Sequence, residues 1–211
     1  MHAHWLFFDL DGTLTDSLPG LRDSIARALQ SRGRRLRVDD LRPYIGPEIR
    51  TLLRTLESDL TEGELDSIEQ CFRASYDIEG VRAAAVFEGV RETLKTMKVS
   101  GAKLLLVTNK PRSATENWIQ WHGMGGLFTE AISRNSRIPG YVSKGEMLCD
   151  LIARHAVDVT RAIMVGDTAE DQSAAQEAGM PFAFAEYGYG KIPIGAECLR
   201  FARFTELPAL C

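Results

Sequence analysis

The sequence predicts an α/β fold: a parallel sheet with helices on both faces, interrupted after its first strand by an all-helical insertion. Three observations predict it. Short apolar runs end repeatedly in polar or turn-forming residues. Helical periodicities fill the gaps between those runs from about residue 86 onward, and residues 16–82 carry three helical stripes with no strand-like run among them. Alternating strands and helices are the pattern of a parallel sheet covered on both sides.

Trp5-Leu6-Phe7-Phe8 is the first run, closed by Asp9-Leu10-Asp11-Gly12-Thr13. A continuous apolar run closed by a glycine turn reads as a buried strand leading into a loop. The insertion follows. Leu18, Leu21, Ile25 and Leu29 form one stripe, and Ile49, Leu52, Leu53 and Leu56 a second. Leu65, Ile68, Phe72 and Tyr76 form a third, opened by Thr61 and Glu64 in capping-box spacing. Beyond it, Val90, Leu94 and Met97 repeat at helical spacing, as do Met147, Leu148, Leu151, Ile152 and His155. Strands are expected at Lys103–Val107, Ala162–Val165 and Pro181–Ala185, with a shorter one at Ala131–Ser133. The expected architecture is a Rossmann-like core, residues 1–15 and 83–211, carrying a helical cap at 16–82. In such sheets ligands bind beyond the carboxyl ends of the strands, so an insertion leaving the first end would cover that site.

With 211 residues the chain can build one sizeable core and a smaller inserted unit. A formal net charge of −4 argues against nucleic acid as the main ligand. Its densest basic stretch, Arg32, Arg34, Arg35 and Arg37, reads as a solvated loop or a contact surface. Cys71, Cys149, Cys198 and Cys211 are scattered without a CxxC pair, which fits free thiols of a reducing, cytoplasmic compartment. The run at Trp5–Phe8 is too short for a signal peptide, and nothing approaches the ~20 apolar residues of a membrane span. His2, His4, His122 and His155 show no metal-ligand grouping, and His155 continues a core stripe. Trp118 and Trp121 are expected to pack a helix, and Gly188–Gly195 lacks phosphate-loop spacing and receives no chemistry. Arg50 and Arg54 lie on a helix of the insertion, where exposure or contact with a substrate anion are both open.

Three strand ends carry the chemistry. Asp9 and Asp11, two residues apart, suit a small site with one carboxylate as ligand or nucleophile and the other as acid/base. Gly12 permits the close backbone approach that a bound phosphate needs. Asp167 ends another strand and Asp171 follows on the next helix. Clustered carboxylates without His or Cys suit a hard cation such as Mg²⁺, although a helix cap and a first-turn acid would look the same. Thr108 and Asn109 end a third strand with a hydroxyl and an amide able to bind phosphate oxygens. Lys144 follows Ser143 at a helix start, where a cation opposes the helix dipole and so suggests another task.

In order, Asp9-Leu-Asp11-Gly12-Thr13-Leu14, Thr108-Asn109, Lys144 and Gly166-Asp167-Thr168 with Asp171 resemble the four motifs of the haloacid dehalogenase superfamily. The insertion is similar to that superfamily's small helical cap. Thr15-Asp16-Ser17, Ile45-Gly46-Pro47 and Thr108-Asn109-Lys110-Pro111 resemble its phosphoglycolate phosphatase branch, but Lys144 is followed by Gly145-Glu146 where that branch has Lys-Pro-x-Pro. The resemblance implies a phosphatase acting on a small phosphorylated metabolite, as a monomer or homodimer without nucleic-acid or membrane partners. It implies Asp9 as nucleophile and Asp11 as acid/base. Thr108 and Lys144 would hold the phosphoryl group, with Asn109 and Gly12 beside it. Mg²⁺ would be bound by Asp9, the Asp11 carbonyl and Asp167, with Asp171 positioning that shell. A carboxylate at Asp11 favours phosphate esters over carbon–halogen bonds. A phosphomutase of the same superfamily would share these motifs, and a non-catalytic binding protein would be expected to lack one of the carboxylates.

Overall fold

The computed structural model describes residues 4–193 and 197–211. His2 and Gly195, both touched by the readings above, lie outside the described residues. Eight strands and eight α-helices follow one another in this stretch. They are β1 (Trp5–Phe8), β2 (Thr15–Asp16), α1 (Leu18–Gln30), α2 (Ile49–Leu56), α3 (Glu62–Ser75), α4 (Val81–Ala83), β3 (Ala85–Val86) and α5 (Val90–Val99). Then come β4 (Lys103–Thr108), α6 (Arg112–Trp121), β5 (Glu130–Ser133), α7 (Lys144–His155), β6 (Ala162–Gly166), α8 (Ala169–Glu177), β7 (Phe182–Ala185) and β8 (Leu199–Phe201).

Six strands form a parallel sheet in the order β5-β4-β1-β6-β7-β8. Successive side chains of a strand point to opposite faces, and β1 shows the consequence. Leu6 and Phe8 join a core with Leu104, Leu106, Ile163 and Val165, covered by Val90, Leu94 and Trp118. Phe7 joins the other face with Leu105, Val107 and Met164, covered by Met147, Leu148 and Leu151. Burial on both faces explains why these strands read as unbroken apolar runs rather than alternating ones.

Register sets the site. Phe8 lies opposite Leu106 of β4 on one side and Val165 of β6 on the other. The chain therefore leaves all three central strands at nearly the same level, with Asp9 and Asp167 just past β1 and β6 and Thr108 closing β4. Six sheet strands were expected to number five. Strand β8 escaped because it is an edge strand whose first residue is exposed and only Phe201 is fully buried, so it shows no apolar run.

The insertion is helical, as expected. Its core of Ile25, Leu29, Leu53, Leu65, Ile68 and Phe72 is continuous with the first face of the sheet. Helix α3 opens with the Thr61–Glu64 capping box and ends in a π-helical turn, Tyr76–Gly80. At its root the outgoing and returning chain pair as a short antiparallel ribbon, Thr15 opposite Val86 and Asp16 opposite Ala85. Gly20 is required here, because a Cβ would sit on the backbone carbonyl of Gly80. Of the two tryptophans expected to pack α6, Trp118 is fully buried but Trp121, at the helix end, is 38% exposed. Among the described residues no helix is long and apolar enough to cross a membrane.

Candidate active site

Asp9 leaves β1 with its backbone N–H on the Val165 carbonyl (2.9 Å), which turns its carboxylate to the sheet edge. The loop then reverses within a few residues, Leu14 N–H donating to the Leu10 carbonyl (2.9 Å). Gly12 permits that reversal with φ of +88°, a conformation that costs other residues. A Cβ at Gly12 would overlap the Asp167 carboxylate, so the close approach foreseen there is made by Asp167.

Asp167 is fully buried and held on three sides. Thr13 Oγ1 donates to its Oδ1 (3.2 Å), and the backbone N–H groups of Tyr189 (2.7 Å) and Gly190 (3.4 Å) donate to Oδ2. Asp171 is also fully buried and does two things at once. Its Oδ2 accepts from the Thr168 N–H (3.0 Å) and Oγ1 (2.7 Å), closing a capping box at the start of α8. Its Oδ1 accepts from Lys144 Nζ (2.6 Å), which also donates to Asp9 Oδ1 (2.8 Å). The cap of this helix is Thr168 rather than Asp167, and Asp171 is the first-turn acid that completes its capping box. Lys144, first residue of α7, opposes that helix's dipole because two buried carboxylates hold it there.

Asp9, Asp167 and Asp171 each offer an oxygen within 4.8 Å of the others, the one such cluster of metal-ligand type among the described residues. Three buried carboxylates face one ammonium. Burial pushes the Asp9 pKa well up; Lys144 opposes this, while Asp171 and Asp167 add to it. Burial, with Asp171 next, lifts Asp167 to about 7. Burial alone would favour a neutral Lys144 amine, but Asp171 and Asp9 outweigh it and push its pKa up. All-oxygen donors with an excess of negative charge fit Mg²⁺.

That excess has a pH signature. Asp167 binds its proton more tightly folded than unfolded, so ionising it opposes folding. The metal-free protein should be most stable at low pH on this account and lose that contribution as pH rises from about 4, the unfolded pKa, through about 7. Thermal melts in EDTA across about pH 5 to 8 should show the fall, and Mg²⁺ should remove it. A melting temperature independent of pH in EDTA would contradict the electrostatics described.

The third strand end lines a cleft of about 220 Å³ between the strand ends and helices of the insertion. Thr108 is buried and lines it with Asp9, Asp11 and Lys144. Asn109 lines it too, but its amide is engaged elsewhere: Nδ2 donates to both oxygens of Glu170 (2.9 Å each) and to the Gly46 carbonyl of the insertion (3.2 Å). Arg50 and Arg54 do not face the cleft; they pair with acids of α3, Arg50 with Asp66 (2.7 Å) and Glu69 (3.1 Å), Arg54 with Glu62. Arg34, read as part of a solvated basic loop, is half-buried against Glu57 (3.1 Å) and Asp59 (2.8 Å).

The sequence matches the family model described as haloacid dehalogenase-like hydrolase over residues 6–185. The chain belongs to that family. This hydrolase is 32% identical to a phosphoglycolate phosphatase of Psychrobacter arcticus over 200 residues, covering 90% of this chain and 86% of the relative. It is 31% identical to a phosphoglycolate phosphatase of Rhodobacter capsulatus, covering 97% of this chain and 95% of that one. A crystal structure of a predicted phosphoglycolate phosphatase from Haemophilus somnus superposes with a TM-score of 0.88 at 27% identity, over 100% of this chain and 98% of that one.

Three features of the candidate site were not foreseen. Lys110 follows Asn109, yet it is buried and donates to both Asp11 oxygens (2.9 Å each) and to the Tyr76 hydroxyl (2.6 Å). Glu170 anchors Asn109. The glycine-rich segment after β7, given no chemistry above, supplies the N–H groups that hold Asp167. Its signal was Gly188 and Gly190, where a Cβ would strike Asp167.

Proposed function

We propose that this hydrolase is a Mg²⁺-dependent phosphatase that cleaves a small phosphomonoester through a phosphoaspartate on Asp9. The division into a core of residues 1–15 and 83–211 and a cap of 16–82 belongs to the same proposal, as does a cytoplasmic setting. The observation that supports it most is the buried cluster of Asp9, Asp167 and Asp171 around Lys144, with Asp9 and Lys144 lining a cleft beneath the insertion.

The residues divide the work as follows. Lys144 pins one oxygen of Asp9 and fixes the carboxylate's orientation. An Asp9 oxygen forms the bond to phosphorus while the ester oxygen leaves and takes a proton from Asp11. Asp11 then takes a proton from water as that water attacks phosphorus and releases Asp9. Thr108 and Lys144 hold the phosphoryl oxygens. Asp9, Asp167 and the Asp11 carbonyl would hold Mg²⁺, and Asp171 would set the shell by fixing both Lys144 and the Asp167 N–H. Bound there, the ion offsets the repulsion between a carboxylate and a phosphate dianion. Phosphoryl transfer asks mainly for such positioning and charge neutralisation. The phosphoglycolate phosphatases among its relatives make phosphoglycolate one candidate substrate.

A panel of phosphorylated metabolites, phosphoglycolate included, should yield inorganic phosphate with at least one member when Mg²⁺ is present. EDTA should abolish that release and added Mg²⁺ restore it. Turnover that survives complete metal removal would rule out the metal role, and an isomeric phosphate product without free phosphate would point to a mutase.

A further inference from the structure

Two lysines are buried at the site, and the chemistry above uses only Lys144. Lys110 is equally enclosed, its side chain 3% exposed. Its ammonium lies 2.9 Å from both Asp11 oxygens, which share one N–H, and a second N–H meets the Tyr76 hydroxyl at 2.6 Å. A cation held in this way ties the Asp11 carboxylate to the Tyr76 hydroxyl.

The hydroxyl acceptor comes from the insertion. Tyr76 stacks on Phe72 of α3 (centroids 4.9 Å apart, planes at 15°) and begins the π-helical turn. Such turns redirect a side chain and recur at functional sites. The turn is docked on α6, the helix that follows Lys110: Ser113 Oγ donates to Asp77 Oδ2 (3.1 Å) and Asn117 Nδ2 to the Asp77 carbonyl (2.8 Å). On the core side, the Lys110 N–H donates to Thr108 Oγ1 (3.1 Å). Both ends of the Tyr76–Lys110 contact are therefore fixed by other bonds.

We infer that Tyr76 and Lys110 are positioning residues for Asp11, through which the docked insertion orients the acid/base carboxylate. Tyr76 belongs to the insertion and Lys110 to the core, so the alignment of Asp11 depends on the contact between the two. This inference rests on the acid/base role proposed for Asp11.

Leaving-group dependence tests it. An alkyl phosphate releases a strongly basic alkoxide that needs the proton from Asp11, whereas para-nitrophenyl phosphate releases a weakly basic phenolate that does not. The probes are para-nitrophenyl phosphate and the alkyl phosphate that the wild-type chain hydrolyses fastest in the metabolite panel. Tyr76→Phe removes one hydroxyl and keeps the stacked ring. It should lower kcat/KM for the alkyl ester about tenfold and for the aryl ester less than about twofold. Lys110→Met should widen the gap to about a hundredfold. Because kcat/KM covers steps through the first phosphoryl transfer, a merely structural role, or a contact to the phosphoryl group that both esters share, would lower both equally. An unchanged alkyl-to-aryl ratio in Tyr76→Phe therefore overturns the inference, even if Lys110→Met does not fold. Absence of turnover by the wild-type chain on every ester would instead sink the phosphatase proposal itself.

Discussion

Asp9→Asn is expected to reduce phosphate release by at least ~10⁴-fold while leaving the fold intact, because the substitution removes the attacking oxygen and little else. The structural half of this expectation follows from the charges around Asp9. Burial already disfavours its ionised form, and Asp171 and Asp167 disfavour it further; only Lys144 opposes them. Replacing the carboxylate by an amide of the same shape lowers the crowding of negative charge. Lys144 keeps its 2.6 Å contact with Asp171, so no buried cation is left without a partner. The change in stability should lie within about 1 kcal/mol of the wild type. Phosphate release and a thermal melt on the same preparation check both halves. An active Asp9→Asn protein would remove the nucleophile from the mechanism, whereas an inactive but unfolded one would show that the charge balance drawn here is wrong.

How much of this was legible in the sequence depended on distance along the chain. The strands that meet at the site were readable because burial on both faces makes each a continuous apolar run, and their polar ends named Asp9, Thr108 and Asp167. Strand β8 was not readable, since an edge strand needs only one inward residue, Phe201. The Thr61–Glu64 cap was readable because its partners are three residues apart. Lys110 was quoted as part of a motif but received no role, because Asp11 is 99 residues away and Tyr76 is 34 away in another stripe. Tyr76 in turn looked like the last member of a helical stripe, and only the π-helical turn takes it to the cleft. Backbone donors are harder still: the N–H groups of Tyr189 and Gly190 that hold Asp167 carry no side-chain signature, and the glycines around them were the one available sign.

Lys144→Met is the second substitution with a large expected effect, and it separates stability from catalysis. Activity should fall about 10³-fold, since the phosphoryl group and Asp9 both lose their cation. Stability should fall as well, because Asp9 and Asp171 lose a buried partner at 2.8 and 2.6 Å. Removing one member of a buried pair costs about 3–5 kcal/mol; for a domain of this size each kcal/mol lowers the melting temperature by about 2–4 °C. Methionine keeps the length and helix propensity of the side chain, so the loss is one of charge rather than packing. Two conditions should soften it. Acid should do so by protonating Asp9 and Asp167, whose pKa values burial has raised, and Mg²⁺ by supplying the positive charge that the lysine no longer provides. The melting temperature of Lys144→Met should therefore rise more on adding Mg²⁺ than that of the wild type, while activity stays low because the ion does not replace a donor to the phosphoryl oxygens. Equal Mg²⁺ shifts in the two proteins would mean that lysine and cation do not share one field of charge, and the carboxylate cluster would then have no common ion to hold.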